Sequence, residues 1–227
     1  VKTAAHDDDV IAAKELARRA HVAAGNPEDT PENRRLVLHA LIDLAAAEFK
    51  ADGERLIEAL KPFEDNGEAE SKAFLKGAAD IIFGWKQKLA RGIRRLFLAG
   101  ALVLAGGPEG PLTREDIGDV DTALVDQTKR LTRFAQQVQD GEQELDGSLP
   151  AREALYAGST WAAAWKVEAG RAVREARTTE QWMLGDAERH CPDCPALADL
   201  GPVPLGTLPA IGSQTCGPGC RCHITYQ

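Results

Sequence analysis

All five cysteines of this 227-residue chain lie after position 190, in two short clusters. The first reads His190-Cys191-Pro192-Asp193-Cys194. The second reads Cys216-Gly217-Pro218-Gly219-Cys220-Arg221-Cys222-His223. The spacer between them, 195–215, holds prolines and glycines but few large apolar groups. Such a segment is too small to fold on its own hydrophobic surface, so something other than an apolar core must hold it. Clustered thiols offer that. A C-x2-C turn aims two thiolates at one ion while backbone amides stabilise the sulfurs, and two such knuckles joined by a loop are how four-coordinate structural zinc sites are built. Zinc would contribute on the order of 10 kcal/mol to folding.

The spacing assigns Cys191, Cys194 and Cys216 as ligands, with either Cys220 or Cys222 as the fourth. The remaining thiol would pack in the module's small core, and His190 and His223 stand in reserve. Two other readings use the same residues. A disulfide pair with a free thiol is one, but an odd count in one small region is a poor disulfide framework. No apolar leader follows Val1, only Lys2 and then the acidic run Asp7 to Asp9. That favours a reduced compartment. A start at Val1 rather than Met also predicts a chain trimmed or processed ahead of it. The other reading, a redox C-x2-C, wants a βαβ setting and a helix starting at its first cysteine, against which Pro195 argues.

No enzyme is expected. A catalytic zinc needs an open position and a base. The chain has no H-E-x-x-H, and no His-x-Glu precedes the C-P-x-C of a deaminase-like pattern. It has no P-loop, no G-x-G-x-x-G after a strand and no G-x-S-x-G. His6, His21 and His39 read as surface residues of helices or tails rather than as bases.

The rest of the chain reads as helix. Aromatics are 5% while alanine, leucine, glutamate and arginine abound, which suits helices better than sheets. Residues 7–24 form one helix, ended at Gly25-Asn26-Pro27, and Thr30-Pro31-Glu32 restarts the next as N-cap, first-turn proline and first-turn acid. That helix is expected to break at Asp52-Gly53, resume to Leu60 and stop at Pro62, with a loop over Phe63–Ala69. Ser71 to about Ala105 reads as one long helix with Gly84 and Gly92 as places for a kink. Its apolar end, Leu96–Gly107, is too short to span a membrane and reads as buried. Its basic stretch Lys86, Lys88, Arg91, Arg94 and Arg95 reads as a solvated face.

Gly106 to Pro111 is the clearest hinge. Thr113 then caps a helix with Asp116 three residues on, in a capping-box arrangement. Ile117, Val120, Leu124, Gln127, Leu131, Phe134 and Val138 follow alternating spacings of three and four, a narrow coiled-coil-like seam. An internal antiparallel helix pair would satisfy it, as would self-association through Ile117–Val138. Pro150 to about Arg177 is another helix with Trp161 and Trp165 as core anchors, and Gln181–Leu184 reads as a short strand. The expected fold is therefore mainly α. A multi-helix body carries a small C-terminal cysteine-rich zinc-binding module with short β-strands, in regions 1–107, 112–180 and 181–227.

The run from Trp182-Met183-Leu184-Gly185 through the first cysteine pair, Pro204-Leu205-Gly206-Thr207-Leu208-Pro209 and Cys220-Arg221-Cys222-His223 to Tyr226 resembles the C-terminal end of minor head proteins of tailed bacteriophages. This is the Mu-like head morphogenesis family, also met as portal-associated or minor capsid proteins. Their ends read C-x2-C, a loop, then C-R-C and a short strand. The seam helix and the stretch from Leu155-Tyr156-Ala157 to Trp165 are similar to what precedes that module. The likeness covers residues 112–227, is motif-specific only at the cysteines, and departs where the family often has a histidine shortly before C-R-C and this chain has Cys216. It implies a virion or assembly component, made in the bacterial host cytoplasm, present in few copies near the portal, with portal or major capsid protein as partner. It implies no enzymatic activity.

The rival expectation is a zinc-dependent DNA-binding or regulatory protein. The formal net charge of −8 opposes a general grip on phosphates. Around the cysteines Arg189 and Arg221 face Asp186, Glu188, Asp193 and Asp199, so local charge opposes it too.

Overall fold

A computed structural model describes residues 4–64, 72–185, 190–217 and 220–227. Five long helices come first: α1 (Ala4–Ala23), α2 (Pro31–Glu64), α3 (Lys72–Leu104), α4 (Arg114–Gln139) and α5 (Ser148–Arg174). Then follow strand β1 (Thr179–Met183), a short helix α6 (Asp193–Ala198) and strands β2 (Val203–Pro204) and β3 (His223–Tyr226). The fold is mainly helical, with a small antiparallel sheet of order β2-β1-β3 beside the cysteines.

The apolar end of α3 is the centre of the bundle. Leu96, Phe97, Leu98, Ala99, Ala101, Leu102 and Val103 are all buried, so this helix is apolar all round because other helices surround it. It packs against α1, α2, α4 and α5. From α1, the small side chains of Ala13, Ala17 and Ala20 form the buried stripe and permit close approach. Among the described residues no helix is long and apolar enough to cross a membrane.

Two local expectations fail for tertiary reasons. Gly53 does not break α2, which runs on to Glu64 and contains Pro62 in its last turn. A Cβ at position 53 would lie 2.7 Å from Glu153 Oε1 and 2.8 Å from Pro150 Cα, so glycine is there to let α2 touch the start of α5. Of the expected loop Phe63–Ala69, Phe63 and Glu64 belong to α2, and the rest lies outside the described residues. The basic stretch of α3 is likewise no merely solvated face. Asp9 of α1 accepts from Arg94 Nη1 at 2.8 Å and Arg95 Nε at 2.7 Å, and Lys88 Nζ reaches Asp52 Oδ1 at 2.6 Å. The acids missing from the stretch itself come from the neighbouring helices. α3 passes unbroken through Gly84 and Gly92.

The capping box at Thr113 forms: its hydroxyl accepts from the Asp116 N–H and the Asp116 carboxylate accepts from the Thr113 N–H. Along the seam Val120, Leu131, Phe134 and Val138 are buried and Ile117, Leu124 and Gln127 half-buried, all against this chain's own helices. The internal pairing covers those four side chains. The glycine-rich turn 106–110 redirects the chain without dividing it, because α4 and α5 share one hydrophobic core with α1, α2 and α3. That core continues into Trp182, Cys194, Ile211, Cys220, Cys222 and Ile224 of the C-terminal segment.

Candidate metal centre

Three elements bring the thiols together. β1 is the middle strand, and its inward-facing Glu180 and Trp182 are buried. β3 pairs with it in the register Trp182 opposite Ile224 and Met183 opposite His223, which places Cys222 at the strand's entrance. Gly185 follows β1 and lies flat against this segment: a Cβ there would meet the Arg221 carbonyl oxygen at 1.9 Å, so no side chain fits. The Gly185 N–H and the Trp182 side chain instead lie beside the Cys222 sulfur. The first knuckle sits at the start of α6, with Cys194 in its first turn. α6 begins at Asp193 and not at the first cysteine, and Pro195 sits in its first turn, where a residue needs no N–H partner. The setting is still not that of a redox C-x2-C, since the sheet beside it is antiparallel and α6 is one short turn and a half.

The two clusters are tied by a side chain that carries no sulfur. Asp193 Oδ2 accepts from the Thr215 N–H at 3.0 Å and from the Thr215 hydroxyl at 2.7 Å. These bonds hold the Asp193 carboxyl below its usual range. Glu180 performs a similar service for the spacer, where its Oε1 accepts from the Leu208 N–H.

Cys194 is the hub. Its sulfur lies 3.3 Å from that of Cys191, 3.8 Å from Cys216 and 4.0 Å from Cys220. All five thiols are free, and the nearest pair is far beyond the roughly 2.05 Å of a disulfide. Two triads have sulfurs mutually within 4.8 Å: Cys191, Cys194 and Cys216, and Cys194, Cys220 and Cys222. A tetrahedral ion with metal–sulfur bonds of about 2.3 Å has sulfur–sulfur edges of about 3.8 Å, and the observed edges bracket that value. The cluster can hold a metal ion. All five cysteines singled out from sequence take part, and the fifth thiol is in the cluster rather than in a separate core.

The thiols differ in how readily they ionise. Burial pushes the Cys191 thiol up, but hydrogen bonds from the thiols of Cys194 and Cys216 and from their backbone N–H groups outweigh it and bring Cys191 down to about 7. Burial and the neighbouring thiols push Cys216 up to about 12, and push Cys194 and Cys222 up as well. Packed thiols of this kind ionise together only beside a positive charge.

The two reserve histidines part company. His190 Nδ1 stands 3.8 Å from the Cys222 sulfur. His223 faces the bundle, where it meets Arg35 of α2 and the Trp165 ring of α5, with centroids 5.6 Å apart. Burial and the Arg35 guanidinium hold it down to about 4. His39, expected on the surface, is half-buried, stacks on Trp161 at 4.5 Å and contacts Arg221. His21 is also only half-buried, and the His6 side chain lies outside the described residues. Trp161, the expected anchor, also donates its indole N–H to the Cys222 carbonyl at 2.6 Å. The module is thus bolted to α2 and α5 beside its own thiols.

One further perturbed group lies in the bundle and escaped the sequence reading. Glu153 of α5 is fully buried, accepts from the Trp85 indole N–H at 3.0 Å, and has no partner for its other oxygen. Burial raises its carboxyl to about 8. Nothing in local sequence marks it, since its partners come from α2 and α3.

Comparison of the chain with protein-family models, curated proteins and solved structures gives no match.

Proposed function

We propose that the cysteine cluster binds zinc as a structural ion, and that the chain is a minor head or portal-associated protein that helps assemble the head of a tailed bacteriophage. One observation carries the metal half of this reading: thiols from two distant clusters converge on Cys194, with those of Cys191, Cys216 and Cys220 at 3.3, 3.8 and 4.0 Å and that of Cys222 within 4.8 Å. An all-thiolate donor set suits zinc, and such a closed set holds a fold together rather than activating water. The assembly half rests on the residue pattern from Trp182 to Tyr226 and its likeness to phage head morphogenesis proteins. The helical bundle then serves as a packing surface for portal or major capsid protein and the zinc module as a rigid docking knob.

The metal half is tested by elemental analysis of the chain purified in reductant without chelator. Zinc at or above one ion per chain is expected, and a metal-free chain with oxidised thiols overturns it. The assembly half is tested by quantitative mass spectrometry of purified virions of the source phage. A few copies per particle are expected. Absence from the particles, and from head intermediates of the same infection, overturns it.

A further inference from the structure

We propose that the open edge of β3 docks an extended acidic segment of a partner protein, which joins the sheet as a fourth strand. This goes beyond the metal and assembly readings and uses neither.

The sheet order β2-β1-β3 leaves β3 paired on one side only. Its pairing with β1 fixes which main-chain groups point away. Thr179 and Gln227 each donate their N–H to the other's carbonyl at 2.9 Å. In an antiparallel ladder such bonded pairs recur at every second residue, so Thr225 and His223 also turn their main-chain groups to β1. The N–H and carbonyl groups of Ile224 and Tyr226 therefore face the free edge. Among the described residues none bonds to them. Ile224 is buried, where unpaired main-chain groups are costly. Such a row is a template for a further strand.

There is room for one. A cleft of about 290 Å3 is lined by all four residues of β3, facing Arg35 of α2 and Trp165 and Glu168 of α5. Successive side chains of a strand point to opposite faces, so a cleft lined by all four lies at the strand's edge.

Charge selects the occupant. Of the arginines lining the cleft, Arg34 is held by Asp29, and Arg171 by Asp116 and Glu168. Arg35 stands beside His223 at one end of β3, and its nearest carboxylate, that of Glu32, is 3.7 Å away and 74% exposed. Arg177 precedes Thr178, whose N–H bonds the Gln227 carbonyl at the other end, and it pairs with exposed Glu175. Exposed pairs of this kind are weak and give way readily. Acidic side chains on an incoming strand thus meet a guanidinium at each end of β3.

The test is amide NMR of the full chain, in reductant without chelator, titrated with a capped hexapeptide of alternating glutamate and valine. Saturable shifts and slowed exchange are expected at the Ile224 and Tyr226 amides. Binding should be roughly tenfold weaker when lysine replaces glutamate, and absent when every peptide amide is N-methylated. Arg177→Glu should narrow the difference between the glutamate and lysine peptides. Ile224 and Tyr226 amides already slow to exchange in the free chain would mean an edge covered by this chain or by a second copy, and overturn the proposal. So do binding that survives N-methylation, equal binding of the lysine peptide, and an absence of shifts at those two amides. None of these outcomes bears on zinc content or on copies per virion.

Discussion

Asp116 shows what a single residue does in this fold. It closes the capping box of α4, is fully buried, and takes Arg171 Nε and Nη2 of α5 at 3.1 and 2.9 Å, with Arg174 on the same carboxylate. Burial pushes its carboxyl up, and the bonds from Arg171 and Thr113 outweigh that and hold it below its ordinary value. A carboxylate with a lowered folded value stabilises above its unfolded value, and the effect is lost as pH falls through the folded one. Asp116→Ala should cost about 3 kcal/mol or more in urea unfolding at pH 7, because two arginines lose their partner, and progressively less as pH falls below the ordinary aspartate range. Glu153 has the opposite sign. Its folded carboxyl, at about 8, keeps a proton that the unfolded chain releases near 4.5, so stability falls as pH rises between those values. Glu153→Gln should flatten that slope and stabilise the chain at pH 7 by up to about 3 kcal/mol. An unchanged slope from pH 5 to 8 would show that Glu153 does not bear the charge cost. The charged groups around it, Asp52, Lys88 and Arg55, are the ones to hold fixed.

At the scale of elements, what could be read in advance depended on where the determining contacts lie. The Thr113–Asp116 cap and the Ile117–Val138 seam are local patterns, and both form as their spacing requires. The cysteine clusters were equally legible, since thiol spacing is itself the signal. The continuity of α2 through Gly53 was not, because the glycine answers to Pro150 and Glu153, about a hundred residues away in sequence. Gly53→Ala should therefore destabilise despite alanine's better helix propensity, by about 1–3 kcal/mol from forced separation of α2 and α5. A gain in melting temperature would contradict that packing. Gly185 is the parallel case in the module: only the folded chain shows that Arg221 leaves no room for a side chain. Gly185→Ala should weaken zinc retention against a competing chelator by roughly 10–100-fold, the range for lost supporting contacts around a metal, with helical circular dichroism unchanged. The Asp193–Thr215 tie was invisible for the same reason, and Asp193 read from sequence only as a negative charge.

Over the whole molecule, a helical bundle with a large apolar core supports a segment that has almost none of its own. α3 centres the bundle, and α1, α2, α4 and α5 bury it. The C-terminal segment meets that bundle through Trp161 and the Cys222 carbonyl, His39 and Arg221, and Arg35 and His223. Stability should therefore be unevenly shared, with the bundle independent of metal and the module dependent on it. Hydrogen exchange measured by mass spectrometry on the zinc-loaded chain, before and after chelator, tests this most directly. Chelation should remove protection from residues 179–227 and loosen α5 only around Trp161, while α1, α3 and α4 stay protected. Protection in 179–227 that is the same with and without chelator, in fully reduced protein, would contradict a fold held by metal.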